Sequence, residues 1–239
     1  MAYLKITLGI SKYSSTGVIV HPSLHNPPEK VITEVLERDE HSCRYCGFKA
    51  LKYQEVHFIG EGVPPRTDPR KKIKAENYAT ACPFCSQCFR LEKIARMQSG
   101  SLIWLPEIGQ AALNHICRAI YIARVSRGPM AEAARDSMEV LLARKEEAEN
   151  RLGTDSPKIL SSIFKDFLEV REYKKRMGNL KGFRILPLDR RVITEGELEF
   201  NQFPQMLAYW RSKDGPFGAF QPNKWAESFF ENQDKLKKA

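Results

Sequence analysis

Long apolar runs are missing from this sequence: nowhere do the roughly eighteen uncharged apolar residues of a bilayer span follow one another. The start, Met-Ala-Tyr-Leu-Lys, has no basic flank ahead of an apolar block, so an export leader is not expected either. No internal repeat of solenoid length recurs. Acidic side chains are in deficit, 29 Asp plus Glu against 38 Lys plus Arg, and the resulting net charge of +9 favours polyanionic or acidic partners without selecting one. What is present excludes disordered and fibrous classes, because 42% hydrophobic content over 239 residues suffices for one large core or two small ones. A soluble, unexported chain is the expectation.

Six cysteines in such a chain argue against a disulfide framework, since cytosolic thiols stay reduced and clustered ones serve better as metal ligands. Cys43 and Cys46 form one C-x-x-C pair, Cys82 and Cys85 a second, Cys88 extends the second, and Cys117 stands alone. Each pair can turn a tight knuckle, and four thiolates complete a closed tetrahedral zinc shell with no position left for a reactive water. Gly47 suits the positive φ of a knuckle. Cys88 leaves two pairings open, Cys82 with Cys85 or Cys85 with Cys88; the first is preferred because it keeps Cys88 on the inner face of a helix. Zinc binding in small sites is worth on the order of 10 kcal/mol of folding energy, so chelation is expected to unfold this region.

Around these cysteines the hydrophobic pattern alternates between short strands and amphipathic helices. Leu4 to Leu8 and Val18 to Val20 suit a small hairpin, and Asn26 is a candidate cap for a helix entered through Pro27 and Pro28 and ending near Asp39. Val56 to Ile59 reads as a strand. The loop after it collects Arg66, Arg70, Lys71, Lys72 and Lys74 against Asp68, a phosphate contact by charge or simply a solvated loop. A helix is expected from Ser86, as cap, to Met97, then an extended segment at Leu102 to Leu105. Pro106 opens a helix through Leu113, Ile116, Cys117, Ile120 and Tyr121, with Cys117 in the core. A long helix runs from Met130 to Leu152, stopped by Gly153. Another starts at Ser156-Pro157, with Ile159, Ile163, Phe167 and Val170 as its inner stripe. Phe183 to Pro187 is extended, Phe203 to Trp210 forms a short helix, and Phe217, Phe220, Trp225, Phe229 and Phe230 make an aromatic tail, a binding segment or an arm over its own core.

Arg38-Asp39 ahead of Cys43-Arg44-Tyr45-Cys46-Gly47, then Glu55-Val56-His57, then Asn77 before Cys82-Pro83-Phe84-Cys85, resembles the zinc-stapled HNH endonuclease module. In active HNH enzymes of that layout a strand carries a metal-binding residue and then the general-base His, an Asn orients the base, and a further metal-binding His follows the last cysteine. His57 matches the first position and Asn77 the Asn, while Phe58 stands at the base position and Ser86 at the final His. Phenylalanine cannot accept a proton and serine poorly replaces an imidazole at a divalent ion, so the resemblance implies a pseudonuclease.

Within that superfamily, Ala81 to Phe89, Ser101 to Glu107 and the helix through Ile116-Cys117 are similar to the IcmJ/DotN family of type IVB (Dot/Icm) secretion subunits, over about residues 28 to 125 and weakly on to Pro187. That resemblance implies a subunit of the coupling complex, cytoplasmic and peripheral to the inner membrane through its partners, which holds the coupling ATPase and helps recruit effectors without catalysis.

The sequence therefore predicts an α+β protein: a zinc-binding, HNH-like treble-clef module with an N-terminal extension over residues 1–104, and a mainly α-helical region with an irregular aromatic-rich tail over 105–239. The expected metal ligands are Cys43, Cys46, Cys82 and Cys85, with Zn2+ as the cofactor and no catalytic residues. Coupling-complex proteins are the expected partners. A metal-dependent nuclease and a non-catalytic nucleic-acid binder remain the competing readings.

Overall fold

Three antiparallel strand pairs staple a set of helices in the computed structural model, which describes residues 3–14, 17, 19–20, 22–60 and 73–218. Helix α1 (Glu29–Arg38) buries Val31 and Val35. Its N-cap is Pro28, with no side-chain bond, so Asn26 does not cap it; the rigid Pro27-Pro28 entry sets the first turn instead. Asp39 ends it and then works as a rivet. Its carboxylate accepts from Arg38 at 3.0 Å, from Arg44 at 3.3 Å and from the backbone N–H of Thr80 at 2.8 Å. Thr80 lies in β2 (Tyr78–Ala81), which pairs with β1 (Glu55–Phe58) and sets His57 opposite Ala79.

The helix expected from Ser86 to Met97 is broken into α2 (Pro83–Ser86), a 3-10 turn at Gln87–Phe89 and α3 (Leu91–Met97). The cause is the N-terminal segment. Gly9 donates its N–H to the carbonyl of Cys88 at 2.9 Å and accepts from the N–H of Leu91 at 3.0 Å, taking two backbone bonds that a continuous helix would have kept for itself. Leu4 to Leu8, expected as a strand, is extended chain without a ladder, pinned by the bond from Leu4 N–H to Arg44 O. The small hairpin is reduced to the bridge between Tyr13 and Ile19, and Val18 lies outside the described residues.

Strand β3 (Gly100–Trp104) bears out the expected extended segment and pairs with β4 (Phe183–Pro187). Helix α4 (Gln110–Arg124) starts at Gly109 and not at Pro106, which falls in the preceding turn. Gln110 then locks α4 to the sheet, donating to Ile185 O at 2.7 Å and accepting from Ile185 N at 2.8 Å. The long helix is α5 (Pro129–Leu152), ended by Gly153 in the left-handed region at φ +76°.

After α5 the expected inner stripe is corrected. Helix α6 (Pro157–Ser162) runs into a π-helical turn at Ile163–Phe167, and α7 (Val170–Asn179) restarts behind a capping box made by Glu169 and Glu172. The wider turn and the restart break the 3.6-residue period, so Leu160, Phe164 and Tyr173 face inward while Ile159 is 50% and Phe167 76% exposed. A hairpin of β5 (Val192–Glu195) and β6 (Leu198–Asn201) precedes α8 (Phe203–Arg211).

The core has three apolar clusters among the described residues. One surrounds the four paired cysteines and takes in α4 and α8. A second joins Leu8, Ile10 and Tyr13 to α3, α6, β4 and Tyr173. The third packs α1 against β1 and β2. Among the described residues no helix is long and apolar enough to cross a membrane.

Candidate metal centre

The first knuckle closes through Gly47 N–H to Cys43 O at 2.8 Å, with Gly47 at φ +77°, where glycine alone carries no Cβ penalty. Arg44 N–H, donating to Thr80 O at 2.9 Å, ties this knuckle to β2 just ahead of Cys82. Cys82 caps α2, Pro83 occupies its first turn, and the amides of Cys85 and Ser86 close back on Cys82 O. Two separate turns are thereby aimed at one point. The sulfurs of Cys43, Cys46, Cys82 and Cys85 all lie within 4.8 Å of one another, and the four residues are buried. Among the described residues no second group of three or more His, Cys, Asp or Glu comes together in this way.

Cys88 stays apart: its thiol donates to Phe84 O at 3.4 Å and packs in the second cluster. Cys117 is fully buried in the core, as expected.

The site's other wall is a face of α4 that the sequence did not single out. Asn114 donates from Nδ2 to Cys85 Sγ at 3.2 Å, and one turn later Arg118 donates from Nη2 to Cys82 Sγ at 2.7 Å and to Cys46 Sγ at 3.8 Å. His115 donates to the carbonyl of Cys46 at 2.7 Å. Arg118 is 1% exposed, its guanidinium lies over the rings of Phe48 and Phe84, and its Nε and Nη1 have no hydrogen-bond partner among the described residues. A guanidinium so buried requires negative charge beside it, and the atoms Nη2 meets are sulfurs. Four thiols alone meet that need poorly. Hydrogen bonding among them drives their acidities apart, with Cys46 well below the usual thiol range through its bond from Cys43, and Cys85 well above it through its bond with Cys43. A divalent cation would let all four ionise, and it balances only two of the four charges, leaving an anionic cluster suited to Arg118. The donor set therefore fits a metal ion. The readable signal for the α4 wall was a polar pair, Asn114 and Arg118, set at i and i+4 among Leu113, Cys117 and Tyr121.

The residues matched to hydrolytic positions are committed elsewhere. The His57 ring stacks on Phe89 with centroids 4.3 Å apart, and burial followed by the nearby Arg90 charge pulls its pKa down to about 3, so the imidazole is neutral. Phe58 is buried against Tyr78 in the third cluster. The backbone carbonyl of Asn77 accepts from Ile59 and Gly60. Ser86 donates to Glu55 at 2.7 Å, and Glu55 also holds Arg90 at 2.7 Å and Arg191 at 2.6 Å. Burial opposes the Glu55 charge, but Arg191 and Arg90 outweigh it and hold the carboxyl at about 2. That ionic knot was not legible from sequence, because Arg191 arrives from just ahead of β5.

Of the basic loop, Arg66, Asp68, Arg70, Lys71 and Lys72 lie outside the described residues, and Lys74 is an exposed partner of Glu76. In the aromatic tail Phe217 stacks on Phe48, while Phe220, Trp225, Phe229 and Phe230 lie outside the described residues.

No protein-family model matches the chain. Among curated proteins it is 29% identical over 160 residues to the type 4 apparatus protein DotN of Legionella pneumophila subsp. pneumophila, covering 64% of this chain and 70% of DotN. The chain is thus similar to DotN over most of its length, in keeping with the resemblance read from the sequence.

Proposed function

We propose that this chain is a non-catalytic, zinc-stabilised adaptor subunit of a type IVB secretion coupling complex, which binds the coupling ATPase and supports effector recruitment. The observation that carries the reading is the similarity to DotN over 160 residues, a protein described as part of a type 4 apparatus. The structure supplies the physical support. Cys43, Cys46, Cys82 and Cys85 would hold Zn2+ as a closed set, the ion contributing rigidity and no reactive water. In this reading residues 1–104 form the zinc-stapled head, with the strand pair and α2 as an HNH-like treble clef, and residues 105–239 form the helical part. A head fixed before it meets its partner loses little entropy on binding, which suits an adaptor. The chain would then sit at the cytoplasmic face of the inner membrane through its partners.

A metal-dependent nuclease needs a base and an open metal position. Phe58 at the base position and Ser86 bonded to Glu55 count against it. The test is a pull-down from the native host, read for a coupling ATPase, beside a DNA-cutting assay supplemented with Mg, Mn or Ni. Co-purification of the ATPase with uncut DNA is the expected result. Cutting that His57→Ala abolishes would replace the adaptor reading with the nuclease. DNA retention that weakens steeply with salt, with no ATPase recovered, would replace it with a nucleic-acid binder.

A further inference from the structure

We infer that Arg118, with Asn114 one turn before it, is the built-in counter-charge and hydrogen-bond clamp of the metal–thiolate centre. This rests on the metal reading above and goes beyond it, since it assigns a role to residues outside the four ligands.

The geometry is one-sided in an informative way. The helix meets the cluster through Asn114 on Cys85 and Arg118 on Cys82 and Cys46, so three of the four sulfurs accept a donor from a single helix face. Charge adds to the arrangement. A divalent ion in four thiolates leaves a net negative cluster in a dry pocket, and Arg118 offsets part of it where solvent cannot. The rings of Phe48 and Phe84, one from each knuckle region, have their centres 4.1 and 5.0 Å from the guanidinium carbon. The Nε and Nη1 of Arg118 have no partner among the described residues, so the sulfurs carry its hydrogen bonds, and α4 itself is bolted through Gln110 to Ile185 of β4.

The donors also act on the sulfurs themselves. An N–H aimed at a thiolate stabilises its lone pairs, making them harder to oxidise and raising the energy at which they transfer charge to a metal. This effect separates a clamp from a space-filling side chain.

The experiment uses the full chain loaded with cobalt(II) in place of its native metal, and reads the sulfur-to-cobalt charge-transfer absorption together with metal affinity from competition against a chromophoric chelator. Arg118→Met should move the absorption to longer wavelength and weaken affinity by about 10–100-fold. Arg118→Gln, which keeps an N–H donor and drops the charge, should fall between it and the parent, and it is the reading used should the Met variant not fold. Leu113→Ala, on the same helix and in the same cluster, should lower thermal stability without moving the absorption. Arg118 variants that take up cobalt with the parent's absorption and affinity would overturn the inference and leave the metal reading intact. A parent chain that binds no cobalt would overturn both.

Discussion

Two buried arginines mark the difference between the first two clusters of the core. Arg118, among the cysteines, meets sulfur. Arg176, in the second cluster, donates to the carbonyls of Leu8 at 2.8 Å and Tyr173 at 2.7 Å and lies 3.7 Å from the centre of the Tyr173 ring. Burial pulls the Arg176 pKa down with only partial compensation, whereas at Arg118 the same penalty is outweighed by Cys82 and its neighbours, so that its pKa rises. Backbone carbonyls are permanent, but thiolates exist only when something keeps the protons off. The cysteine cluster should therefore depend on a metal and the second cluster should not.

Metal removal is the strongest way to break that comparison. Chelation, or the double change Cys46→Ser and Cys82→Ser, should cost on the order of 10 kcal/mol of metal-linked folding energy. Amide exchange is expected to accelerate in β2 and α4 before it does in α6 and α7. Simultaneous loss of protection in all four would show that the two clusters share one metal dependence.

The second cluster offers the converse test. Phe164→Ala should cost about 3–5 kcal/mol by leaving a cavity, while bound metal per chain stays unchanged. Phe167→Ala, whose ring is 76% exposed, should shift stability by no more than about 0.5 kcal/mol. A larger loss from Phe167→Ala than from Phe164→Ala would restore the stripe read from the sequence and contradict the π-turn.

A smaller effect belongs to the ionic knot that sits beside the cysteines without depending on them. Glu55→Gln should cost about 1–3 kcal/mol by leaving Arg90 and Arg191 short of a carboxylate. The pH dependence sharpens this. Glu55 is held at about 2 against an ordinary 4.5, so its contribution is complete above pH 4.5 and is lost as pH falls toward 2. His57 is held at about 3 against 6.5, so the unfolded chain takes up its proton first, and stability falls as pH drops from 6.5 toward 3. Melting temperatures measured across pH 3 to 7 should therefore decline less in His57→Phe than in the parent between pH 6.5 and 4.5, with Glu55→Gln flattening the range below. Parallel curves for all three proteins would contradict these assignments.

How much of this was readable beforehand follows the range of the interactions. The cysteine pairs, β1, β3, β4, α5 and α8 rest on local spacing, and the sequence carried that plainly. The break between α2 and α3 was hidden because it is made by Gly9, far away in the chain. The inner face of α6 was hidden because Ile159 and Leu160 are equally apolar, and only the π-turn decides between them. At the site the four cysteines were legible by motif, whereas Arg118 looked like one more basic residue on a basic chain until the fold placed it against sulfur.

Native mass spectrometry of the freshly purified chain tests the central claim most directly. One zinc ion per chain is expected, absent from the Cys46→Ser, Cys82→Ser variant and removed by chelation together with a large drop in melting temperature. A metal-free parent chain that melts at the same temperature as the zinc-supplemented one would contradict the account.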